Sequence, residues 1–149
     1  MERRHQELLL GCLEILTGFG IAVYWMLFFY FGMEPVNPPT CYFSFEHSFV
    51  VSDALLAGLL VAGGGFLAAG KKFGQTISLP CGGGLVYLGA IDVTFNLANG
   101  IYTQNISQTL QNAAVNFWCL SFGLSIIVVL CFWIEDWSGK SPQPTTPQA

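Results

Sequence analysis

The feature that most constrains this chain is a set of four apolar stretches, each long enough to cross a lipid bilayer. A membrane helix needs roughly 20 apolar residues, because the hydrocarbon core is about 30 Å thick and a helix rises about 1.5 Å per residue. The stretches cover about residues 8–31, 49–69, 77–98 and 113–134. They predict an all-α membrane protein, a four-transmembrane-helix antiparallel bundle within residues 1–137. Residues 138–149, rich in Pro, Thr and Gln, are predicted to form a flexible cytoplasmic tail.

The composition excludes most soluble proteins. Hydrophobic residues make up 53% of the 149 residues and charged residues 9%, whereas soluble domains contain about 25% charged residues. The formal net charge of −4 offers no basic surface for nucleic acid. The lipid bilayer is therefore the one partner that the sequence predicts directly.

The cations predict the orientation of the bundle. A path with four spans places all five of them, Arg3, Arg4, Lys71, Lys72 and Lys140, on the same side of the membrane. Cytoplasmic loops carry an excess of Lys and Arg. We therefore expect a multi-pass membrane protein with both termini in the cytoplasm.

Polar residues recur at one depth, in the outer half of the predicted spans. Asp92, Asn96 and Asn99 follow i, i+4, i+7 spacing and share one helix face, and Asp53 enters the second span about one turn below the outer interface. We therefore predict a polar pocket that opens outward, bordered by Tyr24. Its candidate residues are Glu46, His47, Asp53, Asp92, Asn96, Asn99, Tyr102, Asn112 and Asn116.

The carboxyl groups in this pocket have no basic partner, since Lys and Arg are missing at that depth. A charged residue at mid-membrane costs about 2.5–3.5 kcal/mol on insertion scales. At least one of Asp53 and Asp92 must therefore be protonated, bind a cation or contact water. The alternative is that these groups simply link the helices by hydrogen bonds worth about 0.6 kcal/mol each. Glu14 is predicted to lie alone in the cytoplasmic half.

Small residues predict close helix packing. Rows such as Gly58/Ala62 and Gly65/Ala69 let helix backbones approach in lipid. Span three carries Pro80 before three glycines, which predicts either a kink or tight packing against span two. The packing candidates are Gly58, Ala62, Gly65, Ala69, Gly82, Gly83 and Gly84.

The sequence contains no legible cofactor or metal motif. Its five cysteines form no CxxC pair, and neither histidine has a ligand partner at helical spacing. The cofactor therefore stays unknown, and no metal site is predicted.

The middle of the chain resembles a type of small four-span membrane protein of bacteria and archaea. The matching segments are FVVSDALL at residues 49–56 and LGAIDVTFNLANGIY at residues 88–102, the second ending in an Asp–x3–Asn–x3–Gly–x–Tyr pattern. The resemblance covers about residues 49–102. It implies a four-helix protein of a prokaryotic cell membrane and singles out Asp53, Asp92, Asn96, Gly100 and Tyr102, but it implies no activity.

Three functions fit these features. The first is an accessory or interaction subunit of a larger membrane assembly, with an aromatic surface for lipid, pigment, quinone or partner helices; a homo-oligomer is a separate possible partner state. The second is an oligomeric protein that handles protons or cations, or transports a small solute, through Asp53 and Asp92. The third is a protein or enzyme that binds a lipid or another apolar ligand, with Asp92 or Glu46–His47 as acid and base.

Overall fold

The computed structural model describes residues 2–32 and 34–138, and among them the side chains of residues 3–32 and 34–133. Four long helices account for most of this part of the chain: α1 (Glu2–Phe31), α2 (Tyr42–Ala68), α3 (Phe73–Ala98) and α4 (Ile106–Ser138). A short 3-10 helix, Ile101–Thr103, precedes α4. All four long helices are apolar enough to cross a membrane. The predicted four-helix membrane bundle is therefore confirmed.

All four helices begin earlier than the apolar stretches indicated, and α2 and α4 differ most. Helix α2 begins at Tyr42 and α4 at Ile106, seven residues before the predicted starts at 49 and 113. Glu46 and Asn112 therefore lie within helices rather than in loops. Hydropathy places these turns outside the apolar stretches because their side chains are more polar.

The two ends of the bundle differ in charge. We call the end that carries connections 34–41 and 99–105 the distal end, and the opposite end the proximal end. The Lys and Arg residues of the described part of the chain all lie at the proximal end: Arg3, Arg4, Lys71 and Lys72. There Arg4 Nη2 donates to the carbonyl oxygen of Ala68 at 2.7 Å, and so offsets the negative dipole of the α2 C-terminus. Lys140 and the rest of the predicted tail, residues 139–149, lie outside the described residues.

Consecutive helices pack against each other, and close approaches of glycines bring two of the pairs together. A Cβ on Gly64 of α2 would lie 2.5 Å from the Gly11 carbonyl oxygen of α1. A Cβ on Gly82 of α3 would lie 2.9 Å from the Gly123 carbonyl oxygen of α4. Side chains fully buried between the helices include Leu60, Leu67, Leu85, Ile126 and Leu130.

The small residues predicted to pack are placed differently. A Cβ added to Gly58 or Gly65 would meet no other atom within 4 Å, and Ala62 and Ala69 are exposed. Within the described part of the chain, α2 packs through Gly63 and Gly64 instead. The predicted row therefore lies on an outward face of α2.

Helix α3 runs unbroken through Pro80. Of the three glycines that follow, Gly82 packs against α4, and Gly83 faces open space. A Cβ added to Gly84 would lie 3.1 Å from Leu56 of α2. The expected packing against span two therefore occurs at Gly84, while Gly82 packs against α4.

Candidate functional site

A fissure lies between α1 and α4. Residues 13–25 of α1 and 112–119 of α4 form its two walls, and residues of α2 and α3 form its floor. Its volume is about 570 Å³, within the range of roughly 300–1,000 Å³ typical of small-molecule sites. Each helix packs closely against the next one along the chain, whereas α1 and α4 make few backbone contacts with each other. This difference leaves the fissure between them.

Contacts at both ends of the fissure hold α1 and α4 together. Towards the proximal end, Trp118 Nε1 donates to Thr17 Oγ1 at 3.2 Å, and Arg3 lies over the Trp133 ring. At the distal end, Gln108 Nε2 donates to the Glu34 carbonyl oxygen at 2.8 Å. The opening of the fissure therefore lies between these contacts, on the side of the bundle.

The residues at this opening are apolar and exposed. Leu16 is 66% exposed, Val115 48% and Trp118 44%, and a Cβ added to Gly20 would meet nothing within 4 Å. All four line the fissure and lie in the middle of their helices, at a depth occupied by hydrocarbon in a bilayer. The fissure thus opens towards lipid.

The floor of the fissure carries a hydrogen-bonded group of polar side chains around Asp92. Asp92 Oδ2 accepts from Asn96 Nδ2 at 2.8 Å and from Asn116 Nδ2 at 2.7 Å. Asn116 Nδ2 also lies 2.9 Å from the Tyr102 hydroxyl oxygen. Asn96 and Asn116 are both buried. This group ties α3 to α4 and holds the Asp92 carboxyl group at the fissure wall.

A second carboxyl group, that of Asp53, lies on the α2 side of the floor. Its Oδ2 accepts from Trp25 Nε1 of α1 at 2.9 Å. Its Oδ1 is buried and has no hydrogen-bond partner among the described residues. A buried acceptor without a partner is costly, so Asp53 has an unused hydrogen-bonding position.

A third carboxyl group, that of Glu46, completes the floor. Glu46 is 8% exposed and is hydrogen-bonded by the Tyr42 hydroxyl group of its own helix. Tyr24, on α1, lines the same fissure as Glu46, Asp53 and Asp92. Three carboxyl groups from two helices therefore face one cavity.

The structure brings most of the predicted pocket residues together. Those that line the fissure are Glu46, Asp53, Asp92, Asn112 and Asn116, together with Tyr24. Asn96 and Tyr102 lie behind them and hydrogen-bond to them.

Two predicted pocket residues lie elsewhere. His47 is exposed, and its ring stacks on Phe29 at 5.8 Å between centroids. Asn99 donates to the Phe95 carbonyl oxygen of its own helix and does not line the fissure. The Glu46–His47 acid–base pair is therefore not assembled here, because neighbouring residues on a helix point in different directions.

Sequence reasoning missed Trp25 and Trp118. Both belong to aromatic segments whose composition is typical of lipid-facing helix surfaces. In the structure, Trp25 is buried against Asp53, and Trp118 hydrogen-bonds from α4 to α1. The one feature that could have identified them is the indole N–H, because a buried Trp N–H needs an acceptor. The sequence did not show which acid would supply it.

Glu14 has a partner that the sequence did not reveal. It is 0% exposed, and its Oε2 accepts from Ser78 Oγ of α3 at 2.6 Å. Its Oε1 is buried with no partner among the described side chains. The expectation that Glu14 lies alone is therefore wrong: Gly63 of α2 leaves the space in which the two side chains meet.

Within the described residues, no group of three or more His, Cys, Asp or Glu side chains is placed to hold a metal ion. The carboxyl groups of the floor are therefore too dispersed to form one compact coordination site.

Comparison with known proteins adds no assignment. No protein-family model matches the chain, and no curated protein and no solved structure matches it either. The geometry of the fissure is what indicates a function.

Proposed function

We propose that this membrane protein binds an amphiphilic molecule that enters the fissure sideways from the bilayer. The observation that carries the proposal is the combination of an apolar opening at hydrocarbon depth with a floor of carboxyl and amide groups. A lipid-like molecule matches both surfaces, since its tail suits Leu16 and Val115 while its head group reaches Asp53 and Asp92. The ligand class includes lipids and other long apolar molecules with one polar end.

Access of lipid chains to the fissure can be measured through Trp25. In a variant with Phe at positions 118, 133 and 137, Trp25 is the remaining tryptophan, and it is 7% exposed at the fissure wall. Phospholipids with brominated chains quench tryptophan fluorescence at short range. We expect strong quenching of Trp25 in nanodiscs made from such lipids.

A matched pair of glycine substitutions controls this experiment. Gly20→Phe fills the fissure, while Gly83→Phe adds the same ring to an outward face of α3 where it meets nothing. Quenching should fall in Gly20→Phe and stay unchanged in Gly83→Phe. Equal quenching in both variants would count against entry of chains into the fissure.

A second candidate function is an accessory subunit of a larger membrane assembly. The outward row of Gly58, Ala62, Gly65 and Ala69 supports it, because such rows promote helix association in lipid. Gly58→Leu should then abolish a stable assembly in native mass spectrometry, whereas Gly83→Leu should preserve it. A monomer in both the parent and Gly58→Leu proteins would remove this candidate.

We also propose that the proximal end faces the cytoplasm of a bacterial or archaeal cell. The gathering of Arg3, Arg4, Lys71 and Lys72 at that end supports the orientation, and the sequence pattern of residues 49–102 supports the type of cell.

A further inference from the structure

We propose that the head group of the bound amphiphile is a cationic amine, for which Asp53 is the principal counter-charge. This inference rests on the proposed function, since it names the chemical class of the ligand for the same fissure. Four observations carry it: the sign of the charges, the state of the Asp53 oxygens, the aromatic walls and the spacing of the carboxyl groups.

The charges that face the fissure are of one sign. Glu46, Asp53 and Asp92 line it, and none of the residues described as lining it is Lys, Arg or His. The described Lys and Arg side chains belong to the proximal end, beyond the Thr17–Trp118 contact. A ligand that brings a positive charge into the fissure therefore supplies what the protein lacks there.

The three carboxyl groups differ in their hydrogen bonds. Two amides occupy Asp92 Oδ2, and Tyr42 hydrogen-bonds Glu46. Asp53 Oδ1 is buried and without a partner among the described residues. An ammonium group carries several N–H donors and no acceptor, so it matches a carboxyl group that has an oxygen without a donor.

Aromatic rings also line the fissure, and one of them, Trp25, contacts Asp53. Trp25 and Tyr24 of α1, Phe49 of α2 and Trp118 of α4 all line the fissure. The faces of such rings attract cations, more strongly when water is excluded. Aromatic walls suit an organic ammonium, whereas a metal ion needs oxygen ligands in close contact, and the described carboxyl groups are not spaced to provide them.

The test compares two probes that share a chain length and differ in the head group. Dodecylamine, a cation at neutral pH, and dodecanol, which is uncharged, are titrated into the full-length protein in phosphatidylcholine nanodiscs. Binding is followed by native mass spectrometry and by tryptophan fluorescence. We expect one saturable site at which dodecylamine binds about tenfold or more tightly than dodecanol, a free-energy difference of about 1.4 kcal/mol.

Two carboxyl-to-amide substitutions localise the effect. Asp53→Asn should reduce the affinity for dodecylamine by about tenfold and leave that for dodecanol unchanged, because the ion pair is lost while the apolar contacts stay. Glu34→Gln removes the same charge from an exposed distal position outside the fissure and should alter neither affinity. If Asp53→Asn does not fold, the comparison of the two probes on the parent protein still tests the cationic head group, and Asp53→Glu, which keeps the charge, should retain the preference for the amine if Asp53 provides the counter-charge.

The outcomes separate the two proposals. Equal affinities for amine and alcohol, both abolished by Gly20→Phe, would overturn the cationic head group and leave lateral binding of amphiphiles in place. Binding of neither probe, or binding unaffected by Gly20→Phe, would overturn the fissure as a ligand site altogether. A strong preference for the amine that survives Asp53→Asn would overturn the role of Asp53.

Discussion

Individual side chains decide how carboxyl groups are held within the hydrocarbon region. Asp92 receives two amide donors, from its own helix and from α4, whereas Asp53 receives a single indole N–H from α1. In the hydrocarbon region no water replaces a lost donor, so an acceptor that loses its partner stays unpaired. The contact between Trp25 and Asp53 is the weaker point, because one Asp53 oxygen already lacks a partner.

Removal of the Trp25 N–H should therefore destabilise the bundle. We expect Trp25→Phe, which keeps an aromatic ring, to lower the free energy of unfolding by about 1–3 kcal/mol, the cost of leaving a buried acceptor unpaired. In an Asp53→Leu background the same substitution should cost less, since no carboxyl group remains to be left unpaired. Unfolding in a titration with sodium dodecyl sulfate measures both effects. Equal costs in the two backgrounds would show that the indole N–H contributes nothing through Asp53.

At the scale of helices, glycines determine which pairs approach closely. Helices α1 and α2 meet at Gly11 and Gly64, and helices α3 and α4 meet at Gly82 and Gly123. The positions next to these contacts, Gly65 and Gly83, face open space. Adjacent glycines therefore differ completely in their surroundings while sharing the same backbone conformation.

This difference predicts opposite tolerance at neighbouring positions. Gly64→Val and Gly82→Val should each lower stability by about 1–3 kcal/mol, because the new side chain meets the backbone of a facing helix and forces the helices apart. Gly65→Val and Gly83→Val should have little effect. Thermal unfolding in detergent, followed by circular dichroism, measures all four. Similar melting temperatures within each pair would contradict the helix crossings described above.

Periodicity and hydropathy predict the elements but not how they face one another. The four spans follow from the length of the apolar stretches, and the Asp92–Asn96 contact follows from i, i+4 spacing. Hydropathy does not distinguish Gly64 from Gly65, since that depends on the rotation of α2 about its axis. For the same reason, Trp25 and Ser78 were not identified as the partners of Asp53 and Glu14.

At the scale of the whole molecule, the two ends of the bundle differ in charge. One side of the bundle differs from the others because the fissure between α1 and α4 opens there. The proximal end carries Arg3, Arg4, Lys71 and Lys72, and the distal connections are linked by paired hydrogen bonds between Gln104 and the Asn37 backbone. The two distal connections are thus joined to each other, while the fissure separates α1 from α4 on the side of the bundle. The lateral binding proposed above uses this side opening.

The orientation can be tested with a native cysteine. Cys41 is exposed in the distal connection, whereas Cys12 and Cys131 lie within the spanning helices. If the distal end faces outward, a membrane-impermeant maleimide should label the protein in intact cells, and Cys41→Ser should abolish that labelling. Labelling of Cys41 that requires permeabilised cells would reverse the orientation.

The most direct test of lateral binding is photo-crosslinking with an amphiphile that carries a diazirine in its chain, followed by mapping of the modified residues by mass spectrometry. Our account predicts saturable modification of the fissure walls, residues 13–25 and 112–119, that Gly20→Phe prevents and Gly83→Phe permits. Unsaturable modification spread evenly over lipid-facing residues such as Leu59, Val128 and Phe132 would contradict it.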